Sequence, residues 1–108
     1  MSNALLEGIR ATVIERAYRF TLHAADRMGE RRISVGEIEE ALLSREAEVI
    51  EDYRHDLRGA SCLVLGRTKA ARPLHVHCTY PPNVAVVTAY EPRAEEWIGL
   101  RIRKVSDR

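Results

Sequence analysis

The sequence predicts an α+β domain in which N-terminal helices pack on one face of a four-stranded antiparallel sheet, a two-layer arrangement. Apolar residues recur at helical spacing through the first 44 positions, and strand-like stretches follow as far as residue 90. Short turns between these stretches favour antiparallel neighbours. At 108 residues the chain has the length of one domain. We place that domain at residues 5–100 and a basic tail at 101–108.

Three helices are expected in the N-terminal part. The first spans residues 4–17, where apolar side chains recur every three or four positions. The second runs over about 22–32 and has Thr21 as its N-cap. The third covers about 35–44 and begins with the pattern S-V-G-E from Ser34, which is a capping box. Each helix has a start signal or an amphipathic pattern, so we expect all three to form and to cover the sheet.

The second helix carries a polar stripe with the residue types of a catalytic site. Its expected core face is apolar and consists of Leu22, Ala25 and Met28. Its opposite face is polar and consists of His23, Arg27, Glu30 and Arg31. A histidine can act as general acid or base near neutral pH, and two arginines can hold a phosphodiester. The same spacing also fits a solvated face on which Glu30 pairs with Arg27, and the pattern alone leaves both interpretations open.

Four strands are expected in the second half of the chain. They are the apolar or alternating stretches 47–53, 61–66, 74–80 and 84–90. The residues between the second and third of these stretches are expected to form a hairpin loop. Pro92 is expected to open a short helix that runs to Trp97, and the basic run R-I-R-K follows near the end of the chain.

Strand alternation places His75 and His77 side by side on the face opposite the apolar side chains of their strand. Such a pair can supply an acid and a base. It can also bind a metal, provided that further ligands such as His23 or His55 join it. A surface pair without a chemical role fits the pattern as well. We expect no metal at this pair.

Charge is distributed unevenly along the chain, although the formal net charge is only +1. Residues 37–52 hold seven acidic residues and one arginine, a net of −6, whereas residues 53–90 hold five basic residues and one aspartate, a net of +4. The predicted strands therefore form a basic surface that suits a phosphate backbone. The side chains expected to bind nucleic acid are Arg67, Lys69 and Arg72. Tyr90 can donate to a phosphate or stack on a base, or pack at the sheet end.

Composition and motifs disfavour several classes of protein. Cys62 and Cys78 are too few for a disulfide scaffold or a four-cysteine zinc site, and we expect free thiols in the reducing cytoplasm. No apolar run reaches the roughly 20 residues of a membrane span, so we expect no membrane partner. The second and third helices resemble a helix-turn-helix, but the acidic third helix would repel DNA. No phosphate-binding loop or dinucleotide motif is present, and we expect no cofactor.

Five blocks of the sequence together closely resemble the family known as domain of unknown function 4258. They are RFTLHAADRMGERRISVGEIEEAL, EVIEDY, SCLVLG, RPLHVHC and VVTAYEPRAEEW, and the similarity covers residues 5–100. The resemblance implies a RelE-like ribonuclease fold, in which helices pack on a curved antiparallel sheet. Fold similarity does not by itself specify an activity.

The family motifs fall on residues that the patterns also single out. The helix motif HA-x-x-RM-x-ER-x-I-S maps onto His23, Arg27, Met28, Glu30, Arg31, Ile33 and Ser34. The strand motifs R-P-L-H-V and T-x-Y-x-P map onto 72–76 and onto Thr88, Tyr90 and Pro92. His77 stands where the family is expected to have an apolar residue, which weakens the interpretation of a metal site.

Two functions are expected from these observations. In the first, the protein is a toxin-type endoribonuclease of a bacterial toxin–antitoxin pair, which cleaves RNA on its basic sheet face without a metal. The residues expected to carry the catalysis are His23, Arg27, Arg31, His75 and Tyr90. The resemblance implies a small antitoxin-like partner with a zinc finger or a helix-turn-helix, and a homodimer is a further expectation. In the second, the same surface belongs to a non-catalytic binding or regulatory module.

Overall fold

The computed structural model describes residues 3–105, which contain three helices and seven strands. The helices are α1 (Ala4–Ile14), α2 (Leu22–Arg31) and α3 (Val35–Leu42). The strands are β1 (Arg19–Phe20), β2 (Glu48–Tyr53), β3 (Ser61–Arg67), β4 (Pro73–Thr79), β5 (Ala85–Tyr90), β6 (Trp97–Ile98) and β7 (Ile102–Arg103). Strands β1 to β5 form one sheet, and β6 pairs with β7 in a separate hairpin.

The main sheet has the strand order β1-β5-β4-β3-β2 and is mixed. Strands β2 to β5 form the predicted antiparallel meander, and the α+β class is confirmed. β1 runs parallel to β5: the Arg19 amide donates to the Val84 carbonyl at 3.2 Å, and the Thr21 amide donates to the Val86 carbonyl at 3.0 Å. The prediction of a four-stranded antiparallel sheet is therefore wrong by one strand, because two residues are too few to show an alternating pattern.

The helix ends follow the signals in the sequence. The Thr21 hydroxyl accepts from the Ala24 amide at the start of α2, and Ser34 forms both hydrogen bonds of a capping box with Glu37 at the start of α3. α1 is shorter than expected and ends at Ile14. Within residues 3–105, none of the helices is long and apolar enough to cross a membrane.

The core lies between the helices and one face of the sheet. Its fully buried aliphatic side chains include Ile9, Ile38, Leu42, Val64, Leu74 and Val76. α2 is rotated relative to the helical-wheel prediction, since Ala24 and Met28 are buried whereas Leu22 is 87% exposed. The prediction that Leu22 and Ala25 face the core is wrong. α2 packs on β5, and the small Ala24 side chain allows the close approach that a leucine would prevent.

The C-terminal segment folds back as a hairpin. The predicted helix from Pro92 to Trp97 is wrong, because only a turn precedes β6. Part of the predicted tail 101–108 forms β7, and its residues 106–108 lie outside the described residues. Part of the segment expected to be a tail therefore packs on the sheet as a hairpin.

The turn of this hairpin has a regular geometry without the usual Asn-Gly pair. Gly99 and Leu100 both have positive φ, 57° and 66°, and the Arg101 amide donates to the Ile98 carbonyl at 3.1 Å. Two central residues in the left-handed region define a type I′ turn, whose twist matches that of paired strands. Glycine adopts this conformation freely, whereas the leucine requires support from its contacts.

Candidate functional site

A row of polar and aromatic side chains lies on the sheet face that the helices leave uncovered. Strands β4 and β5 set this row, because His75 is paired with Tyr90 and His77 with Thr88. The alternate side chains of β4 belong to the core on the other face. The two imidazoles therefore share a face, as alternation predicts. The C-terminal hairpin covers one end of this face, and so gives the two histidines different surroundings.

His75 is fully buried beneath the hairpin. Its Nε2 lies 2.7 Å from the carbonyl oxygen of Leu100, and its Nδ1 lies 3.2 Å from the hydroxyl of Tyr90. Because a carbonyl can only accept, Nε2 carries the proton and Nδ1 accepts from the tyrosine. The Trp97 ring meets the imidazole edge-on, with centroids 4.4 Å apart. Burial lowers the pKa of His75, and both ring nitrogens are used within the fold.

His77 is half-buried and borders an open space. Its Nε2 lies 2.9 Å from the Ser61 hydroxyl, and its ring meets the Tyr53 ring at a centroid distance of 5.6 Å. Burial lowers the pKa of His77, so the imidazole is neutral near pH 7. The space beside it, which we call the inner hollow, has a volume of about 300 Å³. Its lining includes Tyr53, Arg58, His77, Thr88, Tyr90 and Arg103.

An ion pair joins the hairpin to the sheet at the rim of the inner hollow. Arg103 donates to both carboxylate oxygens of Glu51, at 2.9 and 3.3 Å, and its guanidinium lies 4.6 Å from the Trp97 ring centroid. The Tyr53 hydroxyl donates to the same carboxylate. Burial tends to raise the pKa of Glu51, but the hydrogen bonds from Arg103 and Tyr53 hold it below its usual range. Burial and the bond to Glu51 raise the pKa of Tyr53 to about 12.

Arg31 connects α2 to this face of the sheet. Its Nη1 donates to the Ala89 carbonyl at 2.8 Å and to the Thr88 hydroxyl at 3.3 Å. Its guanidinium also lies 5.9 Å from the Tyr90 ring centroid. β1 pairs only with the first two residues of β5, so the arginine satisfies a carbonyl beyond the reach of β1. Arg31 is therefore the member of the polar stripe on α2 that lies next to the row of polar side chains on β4 and β5.

A second concavity of about 1100 Å³, which we call the outer groove, lies next to the inner hollow. Its lining includes Arg31, Tyr90, Glu91, Trp97, Arg103 and Lys104. Tyr90 and Arg103 line both spaces. Burial raises the pKa of Tyr90, so its hydroxyl keeps its proton at neutral pH and can donate to a ligand when it is not bonded to His75.

His23 and Arg27 lie apart from this row. His23 is exposed on α2, and Arg27 pairs with Glu30 at 2.8 Å on the solvent side of the same helix. Within residues 3–105, no hydrogen bond joins either side chain to the sheet. The interpretation of these positions as a solvated face, which the spacing left open, describes their surroundings in the structure.

Arg72 is engaged by groups of the protein itself. It donates to Glu91 at 2.9 Å and to Glu37 at 3.2 Å, and it also donates to the carbonyls of Arg31 and Arg32 at 3.2 and 3.0 Å. The bond to Glu91 is the main reason why the pKa of Arg72 is raised. The side chain thus joins the start of β4 to the end of α2 and the start of α3.

The other two basic residues expected to bind nucleic acid are Arg67, the last residue of β3, and Lys69, in the loop that follows. The Arg67 guanidinium donates to the Ala71 carbonyl at 3.3 Å, within the loop. The backbone amide of Lys69 donates to Glu40 at 2.9 Å, which ties the loop to α3. The structure places both residues beside the acidic helix rather than at the inner hollow.

Sequence reasoning missed the residues that the hairpin and β2 bring to the face. The sequence predicts Arg103 only as part of a basic tail, and Trp97 only as the end of a helix. Glu51 and Tyr53 alternate along β2, and this period of two is the signal that places them on one face. Within the part of the chain that the structure describes, no group of three or more His, Cys, Asp or Glu side chains is arranged to hold a metal ion.

Comparison with known proteins adds a family to this geometry. A family model with the description "Domain of unknown function (DUF4258)" matches residues 20–91, two thirds of the chain. The chain belongs to this family. The DUF4258 match spans α2, α3 and β2 to β5, whereas α1 and the C-terminal hairpin lie outside it. No curated protein and no solved structure matches the chain. In this DUF4258 protein, His75, His77 and Tyr90 therefore lie within the matched range, and Trp97 and Arg103 lie beyond it.

Proposed function

We propose that the protein is a toxin-type, metal-independent endoribonuclease whose reaction takes place in the inner hollow. The observation that carries this proposal is the position of His77, a neutral imidazole that borders a hollow shared with Tyr90 and Arg103. RNA brings its own nucleophile, the 2′-hydroxyl next to the scissile phosphate. A protein that supplies a base, a hydrogen-bond donor and a cation in fixed positions can therefore promote cleavage.

The roles follow from the chemistry of each group. The His77 imidazole accepts the proton of the 2′-hydroxyl, whose oxygen attacks the phosphorus while the bond to the 5′-oxygen breaks. Arg103 stabilises the charge that develops on the phosphate oxygens. Tyr90 donates a hydrogen bond to the phosphate, and the protonated His77 returns its proton to the leaving 5′-oxygen. The products are a 2′,3′-cyclic phosphate and a 5′-hydroxyl, so the reaction needs no water and no metal.

This proposal moves the base from the histidines expected at first. His23 is exposed on the far side of α2, and His75 uses both ring nitrogens beneath the hairpin. We assign to His75 the positioning of Tyr90 and of the hairpin that carries Arg103. The RelE-like fold and a small antitoxin-like partner remain parts of the proposal that follow from the resemblance, and the cytoplasmic location is proposed from the free thiols of Cys62 and Cys78.

Purified protein and RNA provide the test. A fluorescent single-stranded RNA is incubated with wild-type protein in EDTA, with and without ribosomes, and its ends are analysed. We expect cyclic phosphate ends, and we expect His77→Ala to lower the rate at least about a hundredfold, the usual scale of general acid–base catalysis. His55→Ala, an exposed histidine outside the hollow, is the matched control and should retain the wild-type rate. Absence of cleavage by wild-type protein under all these conditions would refute the proposal.

A non-catalytic binding module is the second candidate, and the charges of the inner hollow favour it. Arg103 is neutralised by Glu51 at 2.9 Å, and Arg58 lies near Asp56 at 3.4 Å. A hollow whose two arginines are already paired has little net charge to attract phosphate. The binding module predicts that overexpression in a bacterial host without an antitoxin-like partner leaves growth and RNA intact. The nuclease predicts growth arrest that His77→Ala relieves.

A further inference from the structure

We infer that the outer groove is a second subsite of the same nuclease, which binds the phosphate adjacent to the scissile one, and that the substrate is unpaired RNA. This inference rests on the proposed function. It depends on three features of the structure, namely the cations of the groove, the side chains that join it to the inner hollow, and the sizes of the two spaces.

Arg31 is the cation best placed to bind this phosphate. One nitrogen is held by Ala89 and Thr88, which fixes the guanidinium at the border of the groove, and the other donors have no partner within residues 3–105. No carboxylate of the described chain forms an ion pair with Arg31, in contrast to Arg72 and Arg103. A fixed guanidinium with unused donors is suited to hydrogen bonding with phosphate oxygens.

Lys104 adds a second positive charge to the lining of the groove. Its backbone amide donates to the Glu96 carbonyl at 2.9 Å, which anchors the residue at the end of the hairpin. Of the three acidic residues that line the groove, Glu91 binds Arg72 and Glu95 lies 4.0 Å from Arg93, which leaves Glu96 to set against Arg31 and Lys104. The balance of the groove is therefore positive, which favours an anionic ligand.

The inner hollow and the outer groove adjoin at Tyr90 and Arg103, because both residues line both spaces. A phosphate at Arg103 and the next phosphate at Arg31 then both lie near the Tyr90 ring, whose centroid is 5.9 Å from the Arg31 guanidinium. That ring offers a surface on which a base can stack. Adjacent phosphates of one strand can thus occupy the two spaces in succession.

The inner hollow selects an unpaired strand. Its volume of about 300 Å³, between the rings of Tyr53 and Tyr90, suits a single nucleotide whose base is turned away from its neighbours. In a duplex the bases are stacked and paired, and proteins contact mainly the sugars and phosphates. A duplex could therefore meet the rim of the site but could not place a base inside it.

The test measures binding without cleavage, so that it stands apart from the test of catalysis. A 5′-fluorescein hexanucleotide with 2′-O-methyl groups cannot be cleaved, because its 2′-oxygen is blocked. Fluorescence anisotropy gives its Kd for wild-type protein, Arg31→Ala, Lys104→Ala and the control Arg45→Ala, which removes a charge at an exposed position between α3 and β2. The duplex of the same sequence is measured in parallel.

We expect the Arg31→Ala and Lys104→Ala variants each to bind about tenfold more weakly than wild type, the scale of a lost charge-assisted contact. We expect the slope of log Kd against log salt to fall by about 0.7 for each contact removed. Arg45→Ala should stay within twofold of wild type, and the duplex should bind at least tenfold more weakly. Lys104→Ala keeps the test decisive should Arg31→Ala fail to fold.

Binding that neither variant weakens, or equal affinity for duplex and single strand, overturns the inference. So does the absence of any binding by wild-type protein. A wild-type protein that binds the blocked strand through Arg31 but leaves ordinary RNA intact disproves the nuclease and retains the subsite. Cleavage that is lost in His77→Ala, together with binding that is indifferent to Arg31, supports the nuclease and disproves the subsite.

Discussion

The Nε2 atom of His75 lies 2.7 Å from the carbonyl oxygen of Leu100, so a buried sheet residue holds the turn of the C-terminal hairpin. The same ring accepts from Tyr90 through Nδ1 and packs against Trp97. One imidazole therefore positions a candidate site residue and the hairpin that carries Arg103. This arrangement explains how a histidine can matter for the site without touching a substrate.

Replacing His75 should loosen the hairpin. In His75→Phe the ring volume is largely kept, but the Leu100 carbonyl loses its donor and Tyr90 loses its acceptor. We expect a loss of about 2–4 kcal/mol in the free energy of unfolding, because each unmet buried group costs about 1–3 kcal/mol. Urea denaturation measures the loss, and hydrogen exchange should accelerate most at the amides of 97–103.

The exposed His23 on α2 provides the control for this prediction. His23→Phe should change the free energy of unfolding by less than about 0.5 kcal/mol, as is usual for surface positions. Equal effects at the two positions would show that the bond from His75 to Leu100 does not hold the hairpin.

Acid should destabilise the protein before its carboxylates titrate. Burial lowers the pKa of both His75 and His77 in the folded state, so the unfolded chain binds more protons at mildly acidic pH. The stability that these groups contribute is complete above the unfolded histidine pKa of about 6.5 and is lost as the pH falls towards the folded values. The urea concentration at the unfolding midpoint should therefore decrease as the pH is lowered from 7.5 to 5.5.

The double variant His75→Phe, His77→Phe should be less stable at neutral pH but should lose most of this slope. The carboxylate of Glu51, whose pKa is lowered in the fold, adds its own loss only below about pH 4.5. A slope between pH 7.5 and pH 5.5 that is unchanged in the double variant would mean that other groups cause it.

Arg72 should behave as a structural residue. Its bonds to Glu37, to Glu91 and to two carbonyls at the end of α2 join three elements. Arg72→Ala should lower the free energy of unfolding by about 2 kcal/mol, the scale of hydrogen bonds to charged groups. Arg72→Lys should recover little, because an ammonium cannot match the planar arrangement of donors.

Arg67 is the matched comparison, since it is the last residue of β3 and its guanidinium bonds only to the Ala71 carbonyl among the described residues. Arg67→Ala should change the free energy of unfolding by less than about 0.5 kcal/mol. Thermal and urea denaturation of the Arg72 and Arg67 variants measure both effects. A loss at Arg67 as large as that at Arg72 would contradict the structural role assigned to the bonds of Arg72.

Much of the fold could be predicted from local patterns, and what could not depends on long-range contacts. The capping box at Ser34 and the alternation around His75 act over a few residues, so the sequence shows them directly. The pairing of β1 with β5 and the packing of Trp97, a hairpin residue, against His75 join segments far apart in the chain. Such contacts leave no period to detect.

The candidate site illustrates the same limit. The sequence places His75 and His77 on one face, but which of them is open depends on the hairpin, whose turn uses Gly99 and Leu100 instead of a common turn pair. The family motif favoured His23 and Arg27, whereas the structure brings Arg31 alone of the α2 stripe to the sheet. Residue type and spacing show which chemistry a side chain could perform. Only the tertiary contacts show which of several histidines or arginines lies at the site.

Gly66 should be essential for the packing of α3 on the sheet. A Cβ at this position would lie 2.0 Å from the carbonyl oxygen of Ala41 and 2.6 Å from its carbon, both backbone atoms that cannot rotate away. Gly66→Ala should therefore lower the free energy of unfolding by about 3 kcal/mol or more, at the upper end of the cost of overpacking. Gly29→Ala is the matched control, because a Cβ there meets nothing within 4 Å on the exposed side of α2. That change should stabilise the protein by about 0.5–1 kcal/mol through helix propensity. Urea denaturation of the two variants should give shifts of opposite sign, and a Gly66→Ala protein as stable as wild type would show that α3 does not approach β3 this closely.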